Sequence, residues 1–162
     1  MTEDTREHLH KLLAKFDHAM LITRVADGKM HARPMAVAHI SPGSDTFFVT
    51  SIQSPKIAEI EANPEVLVTF QGGGAYAAIA GRARVVRDRP LLERYWSKGW
   101  TAWFPSGIDD PDLCVIAVAA EEGEYWDRAG VRALKYAFAA AKAYATGEKP
   151  VLGRDQHGRV SL

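Results

Sequence analysis

The residues with chemistry to offer gather between Met30 and Ile60. Arg33 stands in the strand-like run Met30-His31-Ala32-Arg33-Pro34-Met35, and Lys56 follows directly on Ser54-Pro55. A guanidinium among strand residues is costly unless it reaches solvent or meets an anion. Ser54 is a favoured N-cap residue, and Pro55 suits the first helical position, where a missing N–H costs nothing. A helix opening there turns free backbone N–H groups and the positive end of its dipole outward at residues 54–57, which favours an anion. Lys56 adds a full charge. Arg33, Lys56 and the helix start would together satisfy a phosphate. Each also has a plainer reading: a strand Arg commonly sits at a rim or in an ion pair, and a Ser-Pro start is commonly only a cap.

Other chemistries find less to work with. There is no Ser-His-Asp arrangement, no supported pair of catalytic carboxylates and no His/Cys cluster with metal-ligand spacing. His8 and His10 lie two apart on a helical stretch and so face different ways. His31 and His39, eight apart on one straight strand, would stand about 27 Å from each other. Gly72-Gly73-Gly74 lacks the Lys-Ser/Thr ending and following helix of a phosphate loop, and reads as a hairpin connection. Cys114 is the single cysteine, so no intrachain disulfide can form, which suits a reducing compartment. Its apolar surroundings, Leu113 to Ala120, mark it as a buried structural residue. The formal net charge of zero gives no global attraction to nucleic acid or an anionic membrane. Residues 128–162 do hold seven Lys or Arg against two acids, a basic segment read as a solvated face. Met1-Thr2-Glu3-Asp4 lacks an apolar signal core, and no uninterrupted apolar run approaches the roughly 20 residues of a membrane span. The expectation is a soluble, cytoplasmic protein with neither nucleic acid nor membrane as a partner.

The elements that must position Arg33 and Lys56 follow from pattern. Asp4 and Glu7 have capping-box spacing, and Leu9, Leu12, Leu13 and Phe16 recur at helical intervals. His18–Arg24 reads as a strand, Ala26-Asp27-Gly28-Lys29 as a hairpin turn, and residues 30–40 as the return strand. Thr46–Ser51 is the third strand, after a turn at residues 41–45. A helix over Pro55–Glu61 stops before Asn63-Pro64. Val66–Phe70 and Ala75–Arg87 are strands rich in β-formers, joined across the glycines. Pro90 opens a helix carrying Leu91, Leu92, Tyr95 and Trp96. Residues 99–112 are irregular, and with Trp100, Trp103 and Phe104 such a loop is expected to cover the core or line a pocket or partner surface rather than lie in solvent. Leu113–Ala120 is a further strand, Tyr125-Trp126 is extended, and 131–146 is a helix with Val131, Leu134, Phe138, Ala141 and Ala145 on one stripe. From Gly147 the chain reads as loose. At 162 residues, 47% of them hydrophobic and 25% charged, this is one ordinary globular domain. Six or seven antiparallel strands with three or four peripheral helices make a β-rich α+β domain, and such strands commonly close into a small barrel.

Arg33-Pro34-Met35, then Phe47-Phe48-Val49-Thr50-Ser51, then Ser54-Pro55-Lys56 and Asn63-Pro64 occur in an order that resembles the FMN-binding split barrels related to pyridoxamine phosphate oxidase. The run from Gly81 to Arg89, Trp103-Phe104-Pro105-Ser106-Gly107, Asp110-Pro111-Asp112-Leu113, Glu124-Tyr125-Trp126-Asp127 and the closing Lys142-Ala143-Tyr144-Ala145-Thr146-Gly147 are similar to its general-stress-protein branch. The resemblance implies an α+β fold built on an antiparallel six-stranded split β-barrel with peripheral helices. Residues 1–146, including the C-terminal helix, would be the FMN-binding domain, and 147–162 a loosely ordered tail. It also implies a homodimer with FMN at the interface. Arg33 would grip the phosphate by a bidentate fork and Lys56 as a point charge, with Ser54 adding donors. Pro34, Met35, Val49, Thr50 and Ser51 would run beside the isoalloxazine ring. Trp126, Trp103 and Tyr76 are the aromatic residues that would approach the flavin from the second subunit.

The chain also departs from the phosphate oxidases. Those enzymes carry a Gln near the position of Tyr76, and basic substrate-gripping residues where this chain has Glu124-Tyr125-Trp126-Asp127, which speaks against vitamin synthesis. What the resemblance implies is an FMN-dependent oxidoreductase of unknown substrate, tied to stress response, with a nicotinamide donor as partner. The alternative is a stress protein that stores or senses flavin without turnover. No catalytic residue is assigned, because the cofactor carries the redox chemistry and the protein orients it. A barrel for single-stranded nucleic acid would need Arg and aromatics on one face, and here the aromatics cluster away from the basic segment.

Overall fold

Period-two alternation of apolar side chains dominates the chain from His18 onward, and antiparallel strands result. The computed structural model describes residues 3–128, 131–149 and 156–162. Among these residues eight strands form one sheet: β1 His18–Arg24, β2 Met30–Ala36, β3 His39–Ile40, β4 Thr46–Ser51, β5 Glu65–Gly72, β6 Ala75–Val86, β7 Leu113–Asp127 and β8 His157–Ser161. Their order is β2-β1-β5-β6-β7-β4-β3, with β8 also paired to β7. Every pairing is antiparallel. The sheet curls around the core and stays open along the seam between its β2 and β3–β4 edges, so the fold is an α+β split barrel.

Eight strands replace the expected six, for two reasons. The return strand breaks after Ala36 because its backbone changes partners: Val37 N–H bonds the Asp17 carbonyl, whereas Ala38 N–H bonds the Phe47 carbonyl. The stretch after Gly147, expected to be loose, also contributes β8, whose Val160 is buried and whose residues pair with Glu122 to Trp126. Residues 150–155 of that stretch lie outside the described residues. The strand expected at 113–120 continues without interruption to Asp127 and takes in Tyr125 and Trp126.

Inward-facing Leu21, Phe48, Val68, Phe70, Ile79, Ile116, Val118 and Tyr125 fill the barrel. Helix α1, Glu3–Leu13, closes one side with Leu9, Leu12 and Leu13, and α2, Pro55–Ala62, another with Ile57 and Ile60. A second apolar cluster of Leu92, Leu113 and Val115 sits under α3, Arg89–Tyr95, with Phe47, Val49, Trp96 and Phe104 packed on it. The aromatic loop is thus divided. Phe104 faces this cluster, while its neighbour Trp103, on the opposite side of a tight turn, is 80% exposed, against the expectation that the loop avoids solvent. Helix α4, Val131–Thr146, leaves Phe138 76% exposed, with Ala141 and Ala145 also exposed. The Val131 and Leu134 side chains of that stripe lie outside the described residues.

The long β6–β7 ladder shifts register between Ala80 and Gly81. A Cβ on Gly81 would collide with the Ala119 carbonyl, and a backbone group inside a ladder has nowhere to move. Gly81→Ala should therefore lower stability by about 2–4 kcal/mol, read as a shifted urea midpoint, whereas Gly28→Ala in an open turn should cost less.

Candidate functional site

Alternation on β2 puts Arg33 on the same face as buried Met35, at the open end of the barrel. There the guanidinium meets an ordered set of acceptors. Its Nη1 donates to Thr23 Oγ1 at 2.8 Å and to the Leu21 carbonyl at 3.3 Å, and its Nη2 donates to Glu59 Oε2 at 2.7 Å. The fully buried Thr23 hydroxyl donates in turn to Glu59 Oε2 at 2.6 Å. His31 Nδ1 lies 3.0 Å from the other Glu59 oxygen. Burial acts to raise the Glu59 pKa, but hydrogen bonds from Thr23, His31 and Arg33, with the charge of Arg33, outweigh it and hold the carboxyl below the usual range. Glu59 is therefore ionised and accepts only, so the Nδ1 of His31 carries the proton between them.

Lys56 stands one helical turn from Glu59. Its Nζ donates to Ser54 Oγ at 2.6 Å and to Thr50 Oγ1 at 3.2 Å. Both partners are neutral, and no carboxylate lies within ion-pair distance of Lys56 among the described residues. Its pKa is lowered, first by burial and then by the positive charge of Arg33, with Cys114 and Glu59 acting the other way. Ser54 is extended at φ −68 and ψ 138 and caps α2 without a side-chain hydrogen bond. Its hydroxyl, expected to serve the helix, serves Lys56 instead.

On β4, Thr46, Phe48 and Thr50 face inward while Phe47, Val49 and Ser51 face outward. Thr50 thereby reaches Lys56, and Val49 joins the apolar cluster under α3. Pro34 and Met35 likewise point to opposite faces of β2. Pro34, Met35, Val49, Thr50 and Ser51 therefore cannot line one surface with their side chains, so a planar ligand passing along them would meet backbone. That backbone is accessible on β4, because β3 pairs only with Thr46 and Phe47 and, among the described residues, leaves the same edge of Val49 to Ser51 without a neighbouring strand. Beyond the end of β2 opens a cleft of about 680 Å³ bordered by His18, Ala36, His39, Arg94, Trp96 and Trp100, where the His39 ring lies flat on Tyr95 at 4.9 Å.

The remaining candidates lie elsewhere in the chain. Tyr76 and Trp126 are cross-strand partners, and Trp126 stacks on His157 at 5.3 Å. Arg33 stands opposite Leu21 and Leu21 opposite Val68, whereas Tyr76 pairs with Gln71, so about 10 Å along β5 and the two intervening strands β1 and β5 separate Tyr76 from Arg33. Trp103 is on the exposed loop. Thr23, His31 and Glu59 were not anticipated as members of the site. The signal for Glu59 was present, since it falls three residues after Lys56 and hence on the same helix face. Among the described residues no group of three or more His, Cys, Asp or Glu could hold a metal ion.

Comparison with known proteins agrees with this fold. The family model of pyridoxamine 5'-phosphate oxidase like proteins matches residues 4–151. The chain belongs to this family. General stress protein 26 of Bacillus subtilis is 33% identical over 119 residues, which cover 69% of this chain and 83% of that protein. A solved general stress protein 26 from Jannaschia sp. superposes with a TM-score of 0.77 at 25% identity, over 99% of this chain and 100% of that one. A general stress FMN/FAD binding protein from Xanthomonas citri is similar at 29% identity and a TM-score of 0.65, over 77% of this chain and 89% of that one. No helix among the described residues is long and apolar enough to cross a membrane.

Cys114 lies behind this site, fully buried on β7, with its Sγ donating to the Thr50 carbonyl at 3.6 Å. Burial pushes its thiol up to about 11, against the weaker opposing charges of Arg87 and Lys56. The native protein should accordingly react with a disulfide reagent such as dithionitrobenzoate at least tenfold more slowly than the urea-unfolded chain at pH 8, because only the thiolate attacks.

Proposed function

We propose that this protein binds FMN with the phosphate between Arg33 and Lys56, and works as a flavin-dependent oxidoreductase. The observation that carries the reading is the pair of cations itself. Arg33 is near enough to Lys56 to disfavour the charge on Lys56, and Glu59, the carboxylate in reach of both among the described residues, is already bonded to Arg33. A dianion placed between them would relieve both. Among relatives, the Xanthomonas citri protein is described as FMN/FAD binding, which supports the same choice.

In this reading Ser54 and Thr50, which now accept from Lys56, orient its ammonium towards the phosphate. The unpaired β4 edge from Val49 to Ser51 and the backbone at Pro34 and Met35 border the isoalloxazine ring, and ladder-like hydrogen bonds to its edge fix its orientation. When bound, the flavin supplies the two-electron chemistry. The ring would point along β2 towards the cleft at His39, Tyr95 and Trp96, whose aromatic wall suits a planar reactant such as the nicotinamide of a donor. The outer face of the sheet carries Met20, Ile22, Leu67, Ala78, Ala80 and Tyr76, an apolar surface that a second copy of the chain would cover. Tyr76 and Trp126 belong to that side and would come to the partner's flavin rather than their own; Trp103 is the other aromatic on offer. The reducing cytoplasm suits the lone buried thiol.

Titration of flavin-free protein with FMN should show Arg33→Ala and Lys56→Ala each weakening binding by about 1.5–3 kcal/mol, and unchanged affinity in both would remove the phosphate assignment. Lys56 gains a further check from pH. Its pKa is lowered in the free protein and would rise beside a dianion, so above pH 7, where the phosphate is already doubly charged, affinity should fall as pH passes through the lowered value. Lys56→Ala should flatten that slope. Anaerobic addition of NADH or NADPH to the FMN-loaded protein should bleach the flavin; a flavin that stays yellow with both would point instead to binding without turnover.

A further inference from the structure

We propose that Glu59 and Thr23 form a positioning pair that fixes the Arg33 guanidinium so that one defined edge is offered to the phosphate; this rests on the reading that FMN binds here. A guanidinium has five N–H groups arranged along rigid edges. In Arg33, Nη1 and Nη2 point at Thr23 Oγ1 and Glu59 Oε2, two acceptors that are themselves 2.6 Å apart through the Thr23 hydroxyl. The end-on edge is thus saturated by one prearranged pair of oxygens. The other Nη1 proton goes to the Leu21 carbonyl. What is left is the side edge, Nε–H and the second Nη2–H, and neither has a partner among the described residues. Two parallel donors along one edge match two oxygens of a phosphate.

Glu59 could instead act as a competitor, an anion holding the cation that the phosphate needs. The geometry favours positioning. Its charge is taken up by three donors, from Arg33, Thr23 and His31, and its side chain is only 15% exposed, so leaving would abandon a buried network. Thr23 is fully buried on β1 and Glu59 is set by the α2 face that buries Ile57 and Ile60, so both oxygens are fixed before any ligand arrives. Neither residue needs to touch the phosphate. Their effect passes through the orientation of Arg33.

The test compares FMN with riboflavin, which lacks only the phosphate, by quenching of flavin fluorescence in the full-length protein. Glu59→Gln and Thr23→Val should each lower the ratio of FMN to riboflavin affinity by about tenfold or more while leaving riboflavin binding within about twofold. Thr23→Ser, which keeps the hydroxyl, should restore the ratio. A merely structural role would weaken both ligands together, and that result would overturn the proposal. So would a ratio that rises in Glu59→Gln, the mark of a competitor. Arg33→Ala separates the two levels of the argument. If it collapses the ratio while Glu59→Gln and Thr23→Val do not, the positioning role fails and the phosphate site stands. If Arg33→Ala leaves the ratio unchanged, both fail.

Discussion

Two positive charges share the open end of this barrel, and among the described residues a single carboxylate, Glu59, is there to answer them. Arg33 sits on β2 and Lys56 at the mouth of α2, and each is partly withdrawn from water. Burial first, and then the charge of Arg33, disfavours the charged form of Lys56. Proteins do not usually hold cations together at the expense of solvation unless a third party gains from it. Glu59 steadies Arg33 but leaves Lys56 with hydroxyl partners only. The site is therefore electrostatically incomplete in a defined direction, and the rest of the fold keeps it so.

The scaffold explains how. β7 is the spine of the sheet, with β6 along most of its length, β4 on its first half and β8 on its second. Because β4 is anchored there, its other edge is left largely without a neighbour, and the seam of the barrel stays open beside Val49 to Ser51. The same seam separates β2 from β4, so a ligand held by its phosphate would extend along backbone on either side. Inward alternation then selects which side chains attend it: Thr23, Arg33 and Thr50 face in, whereas Pro34, Val49 and Ser51 do not.

Membership in the pyridoxamine 5'-phosphate oxidase like family gives this arrangement a context without giving it a substrate. Where the oxidases carry substrate-gripping basic residues, the C-terminal half of β7 holds Glu124, Tyr125 and Trp126: Glu124 bonds His157 of β8 and Trp126 stacks on it, while Tyr125 stacks on His8 of α1.

Local signals were enough to place most elements. The strands at 18–24 and 46–51, the short helix at 55 and the long strand from 75 follow from periodicity, turn residues and Ser-Pro, all of which act within a few residues. Arg33 and Lys56 could be named as candidates on the same local grounds, but each also had a plainer reading there, and the resemblance to the FMN-binding split barrels is what singled them out. Only the tertiary structure decided the partners. Glu59 meets Arg33 across 26 residues and Thr23 meets it across 10, through the register of β1 on β2 and the seating of α2. The break at Ala36, the strand at 157–161 and the exposure of Trp103 were equally out of reach of pattern. Each depends on which backbone groups find a neighbour from a distant part of the chain, and residue types record the tendency of a segment, not the identity of what lies beside it.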